Sequence, residues 1–193
     1  VTSTGKLALD KIKRLSAVAP LLEQYPVPDG LSADFDAKLL VHPESLEIQT
    51  VLFNLKRNKN SLIKLTGLQP FQVGFAEEIA LDYKSGALAR VEINDIDLKW
   101  ANPYLGELKV DGALADARLQ LVSAAYSGFV VNSTQPLSIR KLDVSKNGDP
   151  LVKDLRIDIN PSIELKSNQL TFAYEDLAIG TRGKNIISGN GSL

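Results

Sequence analysis

Residues 31–67 read LSADFDAKLLVHPESLEIQTVLFNLKRNKNSLIKLTG, and residues 155–191 read LRIDINPSIELKSNQLTFAYEDLAIGTRGKNIISGNG. At one constant offset, apolar residues of the first segment meet apolar residues of the second. The matched pairs are Leu31 and Leu155, Phe35 and Ile159, Leu39 and Ile163, Val41 and Leu165, Leu46 and Leu170, Ile48 and Phe172, Phe53 and Leu177, Leu55 and Ile179, Leu62 and Ile186, Ile63 and Ile187. The apolar residues mostly alternate, as in half-buried strands. A repeated run of such strands predicts a sheet that grows by adding similar units, with its function on a surface.

The rest of the chain also has the period of strands, apart from one helical segment near the N-terminus. Apolar residues recur every three or four positions from Leu7 to about Gln24, and Pro20 predicts a kink or break within this helix. The predicted strands are Leu31–Val41, Leu46–Lys56, Ser61–Val73, Glu78–Tyr83, Ala87–Trp100, Leu105–Leu114, Ala115–Tyr126, Phe129–Asn132, Leu137–Ser145, Val152–Asn160, Ser162–Ser167, Gln169–Ile179 and Lys184–Leu193. Short strands joined by tight turns favour an antiparallel meander.

Three strands change phase midway. The apolar alternation slips by one residue at Asn94-Asp95, between Leu114 and Ala115, and between Ile139 and Leu142. A slip of one residue indicates a bulge, or a turn inside what reads as one strand, and bulges bend and coil a sheet. We therefore expect a curled sheet.

The domain organisation expected is a single β-rich segment over residues 1–193, with a helical lead-in over 1–30 and strands over 31–193. The chain contains no Met, and Ile186–Leu193 opens as a strand just before the last residue. These two observations lead us to expect an interior piece of a longer protein.

Two architectures are compatible with a sheet that has one apolar side. A closed β-sandwich would pack one sheet on another, whereas a curled sheet would leave an open apolar groove. Exposed apolar patches beyond a few hundred Å² are rare unless they are functional, so composition alone favours the sandwich. Periodicity does not separate the two.

Composition excludes several classes of function. Lys and Arg number 22 and Asp and Glu number 23, so no basic footprint for nucleic acid is present. The chain has no Cys and one His, which argues against a zinc site. His42 precedes Pro43 and is expected in a surface turn. The acid pairs Asp34/Asp36, Asp95/Asp97 and Asp154/Asp158 could reach a cation, but a solvated outer face explains them better. We predict no catalytic residue, no metal site and no cofactor.

Three segments carry a resemblance to a known family. The helical segment Leu7-Ala8-Leu9-Asp10 to Leu21-Leu22, the strand unit Leu31–Gly67, and Trp100-Ala101-Asn102-Pro103-Tyr104-Leu105 before a Gly-rich strand resemble elements of the AsmA-like family of bacterial envelope proteins, relatives of TamB. The resemblance implies a curled β-groove lined with aliphatic side chains, in a periplasmic protein that is anchored in the inner membrane outside this segment. It implies lipid transport or outer-membrane biogenesis as the biological setting.

The function expected is therefore non-enzymatic: an apolar groove that binds or conducts the acyl chains of phospholipid, with other envelope proteins as further partners. An alternative expectation is a structural or assembly module that recruits other chains by β-strand addition. The residues expected to line the groove are the aliphatic and Phe positions of the repeat, Leu39, Val41, Leu46, Ile48, Phe53, Leu55, Leu62, Ile163, Leu165, Leu170, Phe172, Leu177, Ile179 and Ile186.

Overall fold

The computed structural model describes residues 1–8, 29–74, 80–81, 86–123, 128–166, 169–181 and 184–192. They form fifteen strands in one antiparallel sheet that is not closed into a barrel. The strands are β1 (Thr2–Ala8), β2 (Leu31–His42), β3 (Ser45–Arg57), β4 (Asn60–Gly67), β5 (Phe71–Gly74), β6 (Ala80–Leu81), β7 (Ala87–Ile93), β8 (Ile96–Asp97), β9 (Leu108–Leu114), β10 (Ala117–Ser123), β11 (Phe129–Gln135), β12 (Leu137–Lys146), β13 (Asp149–Lys166), β14 (Gln169–Thr181) and β15 (Lys184–Ser192).

The sheet is a meander. Strands β1 to β4 pair in sequence order, and β7 follows on the free edge of β4. Strands β7 and β8 form one long strand with a short break, and so do β9 and β10, and β11 and β12. These long bent strands pair side by side, and β13, β14 and β15 follow them in the sheet. Strands β4 and β5 likewise continue one another along one edge of β3, with β4 beside residues 52–57 and β5 beside residues 45–48, and β6 pairs with β5. The predicted mainly-β antiparallel fold is confirmed, and a two-sheet sandwich is not what the described strands form.

The two copies of the repeat have the same local structure. In the first copy β2 pairs with β3 from Leu31 opposite Arg57 to His42 opposite Ser45, with a one-residue slip on the way. In the second, the last twelve residues of β13 pair with β14 from Leu155 opposite Thr181 to Lys166 opposite Gln169, also with a one-residue slip. The third strands, β4 and β15, match as well, down to a shared bulge that leaves Leu62 and Ile186 as the extra residues. The repeat predicted from apolar spacing is therefore a repeat of register.

All three predicted phase changes fall on irregular backbone. Asp95, between β7 and β8, has φ of 43°, and Lys141 has φ of 52° where the pairing of β12 shifts between Ile139 and Leu142. Residues 115–116 separate β9 from β10. These irregularities bend the long strands and explain why the alternation changes side.

Some predicted elements differ from the observed ones. Strand β1 replaces the start of the predicted N-terminal helix, since Leu7 and Ala8 pair with β2; the remainder of that helix, over 9–28, lies outside the described residues. The predicted strand Ser61–Val73 is two strands, β4 and β5. The strand predicted at Glu78–Tyr83 is described only at Ala80–Leu81, and the end of the one at Ala115–Tyr126 is not described.

Two other predictions failed for local reasons. The predicted strand Ala87–Trp100 ends early, because Leu98–Tyr104 forms a 3-10 helix that Asp97 caps by accepting a hydrogen bond from the backbone N–H of Lys99 at 2.9 Å. Conversely, β13 runs through Pro161, where the sequence predicts a break. Pro161 lies where the neighbouring strand changes from β11 to β12 and neither pairs with it, so its missing N–H costs no bond on that edge.

Candidate functional site: the apolar face

The pairing register shows which side chains share a face of the sheet. Residues directly opposite in an antiparallel ladder project from the same side, and so do residues two apart within a strand. Two rows of directly paired residues trace one side across nearly the whole sheet. The first row is Ala33, Leu55, Ile63, Ile93 and Ala117, and the second is Ala89, Leu121, Val131, Ile163 and Phe172. We call this side the apolar face.

The apolar face is almost free of charge. Its paired positions from β2 to β15 carry Leu, Ile, Val, Phe, Ala and Gly, with a few Ser, Thr, Tyr and Pro. The charged residues among these described positions stand at strand ends, namely Arg57 opposite Leu31 and Asn60, Lys184 opposite Thr181, and Lys146 opposite Leu108 and Asp149. A surface of this composition favours contact with an apolar ligand or with apolar side chains, and it offers few partners to a charged ligand.

The opposite face is polar and ion-paired. Lys56 binds the carboxylate of Asp34 across β2 and β3, and Arg118 stands directly opposite Glu92 with 3.8 Å between Nε and Oε1. These pairs are partly exposed, so each adds little stability. Because these ion pairs lie on one side of the sheet, that side is the one suited to contact with solvent.

The buried cluster lies on the apolar face. Phe71, Leu81 and Leu88 form the buried cluster, and Ile48 of β3 and Phe129 of β11 both pack against it. In a flat sheet β3 and β11 would stand four strand spacings apart, about 19 Å. The cluster spans this distance, because Phe71 pairs with Ile48 and Leu88 belongs to β7, which lies between β4 and β10.

Away from the buried cluster, much of the described apolar face is exposed. Val41 is 70% exposed and Leu170 is 68% exposed, although they occupy apolar-face positions of the two repeat copies. Phe35, Ile163 and Ile187 of the same face are also exposed, whereas the opposite face exposes only scattered apolar residues such as Leu40 and Leu52. Leaving a large aliphatic side chain in water forgoes about 1.5–3 kcal/mol, so a run of such residues on one face indicates a surface meant to be covered.

Nearly all the predicted groove residues lie on the apolar face. Pairing and two-residue alternation place Leu39, Val41, Leu46, Ile48, Phe53, Leu55, Ile163, Leu165, Leu170, Phe172, Leu177 and Ile179 there, and Leu62 and Ile186 occupy the shared bulge. Their environments differ. Leu62 is buried and Ile48 contacts the core cluster, so these two support the fold and do not line an accessible surface.

The prediction from the repeat did not include all the residues of the apolar face. Strands β7, β10 and β11 lie between the two copies and contribute Val91, Leu119, Leu121, Val131 and Phe129. Each of these strands alternates apolar and polar residues, but none matches the repeat. Their alternation was visible in the sequence, and their position between the copies was not.

The 3-10 helix packs against β9. Asn102 clamps it to β9, because its amide donates to the carbonyl of Val110 at 3.1 Å and its side-chain oxygen accepts from the N–H of Val110 at 2.7 Å. Lys99 Nζ lies 3.0 Å from Asp111 Oδ2; this hydrogen bond lowers the pKa of Asp111 and raises the pKa of Lys99. The guanidinium of Arg57 lies 5.3 Å from the ring centroid of Trp100, a cation–π contact at the end of β3.

Two of the polar residues singled out in the sequence, His42 and Asp158, lie near oppositely charged or hydrogen-bonding side chains. His42 lies at the end of β2, with Nε2 3.9 Å from Glu47 Oε2. Asp158 accepts a hydrogen bond from Ser138 and pairs with Arg156 at 2.6 Å. Within the described part of the chain, no helix has the length and apolar character needed to cross a bilayer.

A comparison with protein-family models finds no match, and comparisons with curated proteins and with solved structures find none either. The likeness to the AsmA-like family therefore rests on the sequence segments quoted above. The geometry of the apolar face is independent of that likeness.

Proposed function

We propose that this chain is a segment of an AsmA-like envelope protein whose apolar face binds the acyl chains of phospholipid, without enzymatic activity. The observation that carries the proposal is the single apolar face, almost free of charge, that spans both repeat copies and keeps Val41 and Leu170 exposed. In this proposal the protein works in the periplasm between the two membranes, with an anchor outside this segment.

Acyl chains suit such a surface physically. Each CH₂ moved out of water is worth about 0.8 kcal/mol, and an acyl chain needs apolar area without any fixed polar partner. A continuous aliphatic strip provides that area at many equivalent positions, so that a chain can slide along it. Strand addition would use the edges of the sheet and not this face, which makes the two activities separable.

The test places a carboxylate on the apolar face where water can still reach it. We expect Leu170→Asp to reduce transfer of a fluorescent phospholipid between vesicles about tenfold, since a loss of about 1.4 kcal/mol in binding corresponds to that factor. The unfolding midpoint should stay within error, because Leu170 is 68% exposed.

The matched control is Gln169→Asp, one residue away on the opposite face and opposite Lys166. It should leave transfer unchanged. Equal loss of transfer in both variants, or no loss in either, would contradict the proposal. Unfolding of Leu170→Asp would show a closed apolar interior at this position and would also overturn it. Ile48→Asp is not a suitable variant, because Ile48 contacts the buried cluster.

A further inference from the structure

Strand β15 is the repeat equivalent of β4, but it has one neighbour fewer. The inner edge of β4 pairs with β3, and its outer edge pairs with β7 through Ile63 opposite Ile93, Leu65 opposite Val91 and Gly67 opposite Ala89. The inner edge of β15 pairs with β14 in the same register, and none of the described strands pairs with its outer edge.

The hydrogen bonds between β4 and β7 show which groups of β15 point outward. Asn94 donates its backbone N–H to the carbonyl of Leu62, and Leu68 donates to the carbonyl of Leu88, both at 2.8 Å. Alternate residues of a strand turn their backbone groups to the same edge, so the even-numbered residues of β4 bond to β7. Their equivalents in β15 are Ile186, Ser188, Asn190 and Ser192.

Nothing in β15 protects this edge against another strand. Open edges are usually blunted by charges, Pro or bulges. Within β15 only Lys184, its first residue, is charged, and Pro is absent. The bulge at Ile186 does not block pairing, because β4 has the same bulge at Leu62 and still pairs with β7.

We propose that the outer edge of β15 is an acceptor site for an antiparallel β-strand with the pattern of β7, apolar at every second residue. The register is the one that β7 has on β4, which places the apolar residues of the incoming strand opposite Ile187, Gly189 and Gly191. A Cβ at Gly189 would meet no atom within 4 Å, so a large side chain of the incoming strand has room there, whereas the ring of Tyr174 already lies over Gly191. The apolar face then continues past β15.

The experiment uses the fact that the chain has no Cys. Gly189→Cys is paired with a synthetic peptide of residues 86–94 that carries Val91→Cys, and the mixture is equilibrated in a glutathione redox buffer. A Cβ on Gly189 meets no atom within 4 Å, so the substitution fits. Gly189 and the peptide's position 91 would form a non-hydrogen-bonded pair, with Cα atoms about 4.5 Å apart, which suits a disulfide.

The controls are the same peptide with Arg90→Cys or Glu92→Cys, whose thiols would project to the opposite face. We expect the position-91 peptide to form at least about ten times more mixed disulfide than either control. Adding Ser188→Pro, which removes an outward N–H, should abolish this preference, and Ser188→Thr should keep it. Equal yields from the three peptides would overturn the proposal. So would preferential coupling of two Gly189→Cys chains, which would make a second copy the occupant.

Discussion

At the scale of single residues, burial is concentrated in a few positions. Leu88 is the fully buried large side chain of the described residues, and it is the extra residue where β7 bulges against β10. It packs with Phe71 of β5 and Leu81 of β6. A sheet with so small a buried cluster depends strongly on each member.

We expect Leu88→Ala to lower the free energy of unfolding by about 2–5 kcal/mol, as a methylene-rich side chain is lost without a replacement. Urea denaturation followed by far-UV circular dichroism measures the change. Val41→Ala is the control, and because Val41 is 70% exposed its effect should stay within about 0.5 kcal/mol. Similar losses in both variants would contradict the described core.

The sequence predicted the face of a residue better than its burial. Val41 and Ile48 share the alternation and the same face, yet one is exposed and the other contacts the core. The difference arises because Phe71 of β5 pairs directly with Ile48, whereas none of the described strands pairs with the outer edge of β2 at Val41. Alternation within one strand carries no information about which distant strand lies beside it.

At the scale of elements, the repeat and the phase changes were predictable, and the 3-10 helix was not. Apolar alternation determines register within a hairpin, so matching alternation gave matching hairpins. The 3-10 helix depends on Asp97 as a cap and on the amide of Asn102, two polar residues that carry no apolar period. Leu98 and Trp100 therefore looked like a continuation of the preceding strand.

We predict that Asn102→Ala releases the 3-10 helix from β9. Both hydrogen bonds to Val110 are lost and its partly buried backbone groups remain unpaired, so stability should fall by about 1–3 kcal/mol. Trp100 is the only Trp in the chain, and its fluorescence should shift toward that of a solvated indole. Asn185→Ala, at an exposed residue of β15, is the control. Unchanged fluorescence in Asn102→Ala would show that Asn102 does not hold this helix.

At the scale of the whole molecule, the two repeat copies share internal structure but not neighbours. The first copy has β1 on its outer side, and the second has β11 and β12. Strands β7 to β12 join them into one sheet, so a single apolar face spans both copies. The openness of that face was not predictable from the sequence, because a sandwich and a curled sheet need the same alternation.

The most direct test of the apolar face is photo-crosslinking to phospholipid vesicles from four successive positions of β14. Benzoylphenylalanine is placed in turn at Gln169, Leu170, Thr171 and Phe172, and lipid adducts are measured by mass spectrometry. Leu170 and Phe172 lie on the apolar face, and Gln169 and Thr171 lie on the other. The proposed function predicts adducts with a two-residue period, strong at 170 and 172 and weak at 169 and 171. Adducts of equal yield at all four positions, or none at 170 and 172, would contradict it.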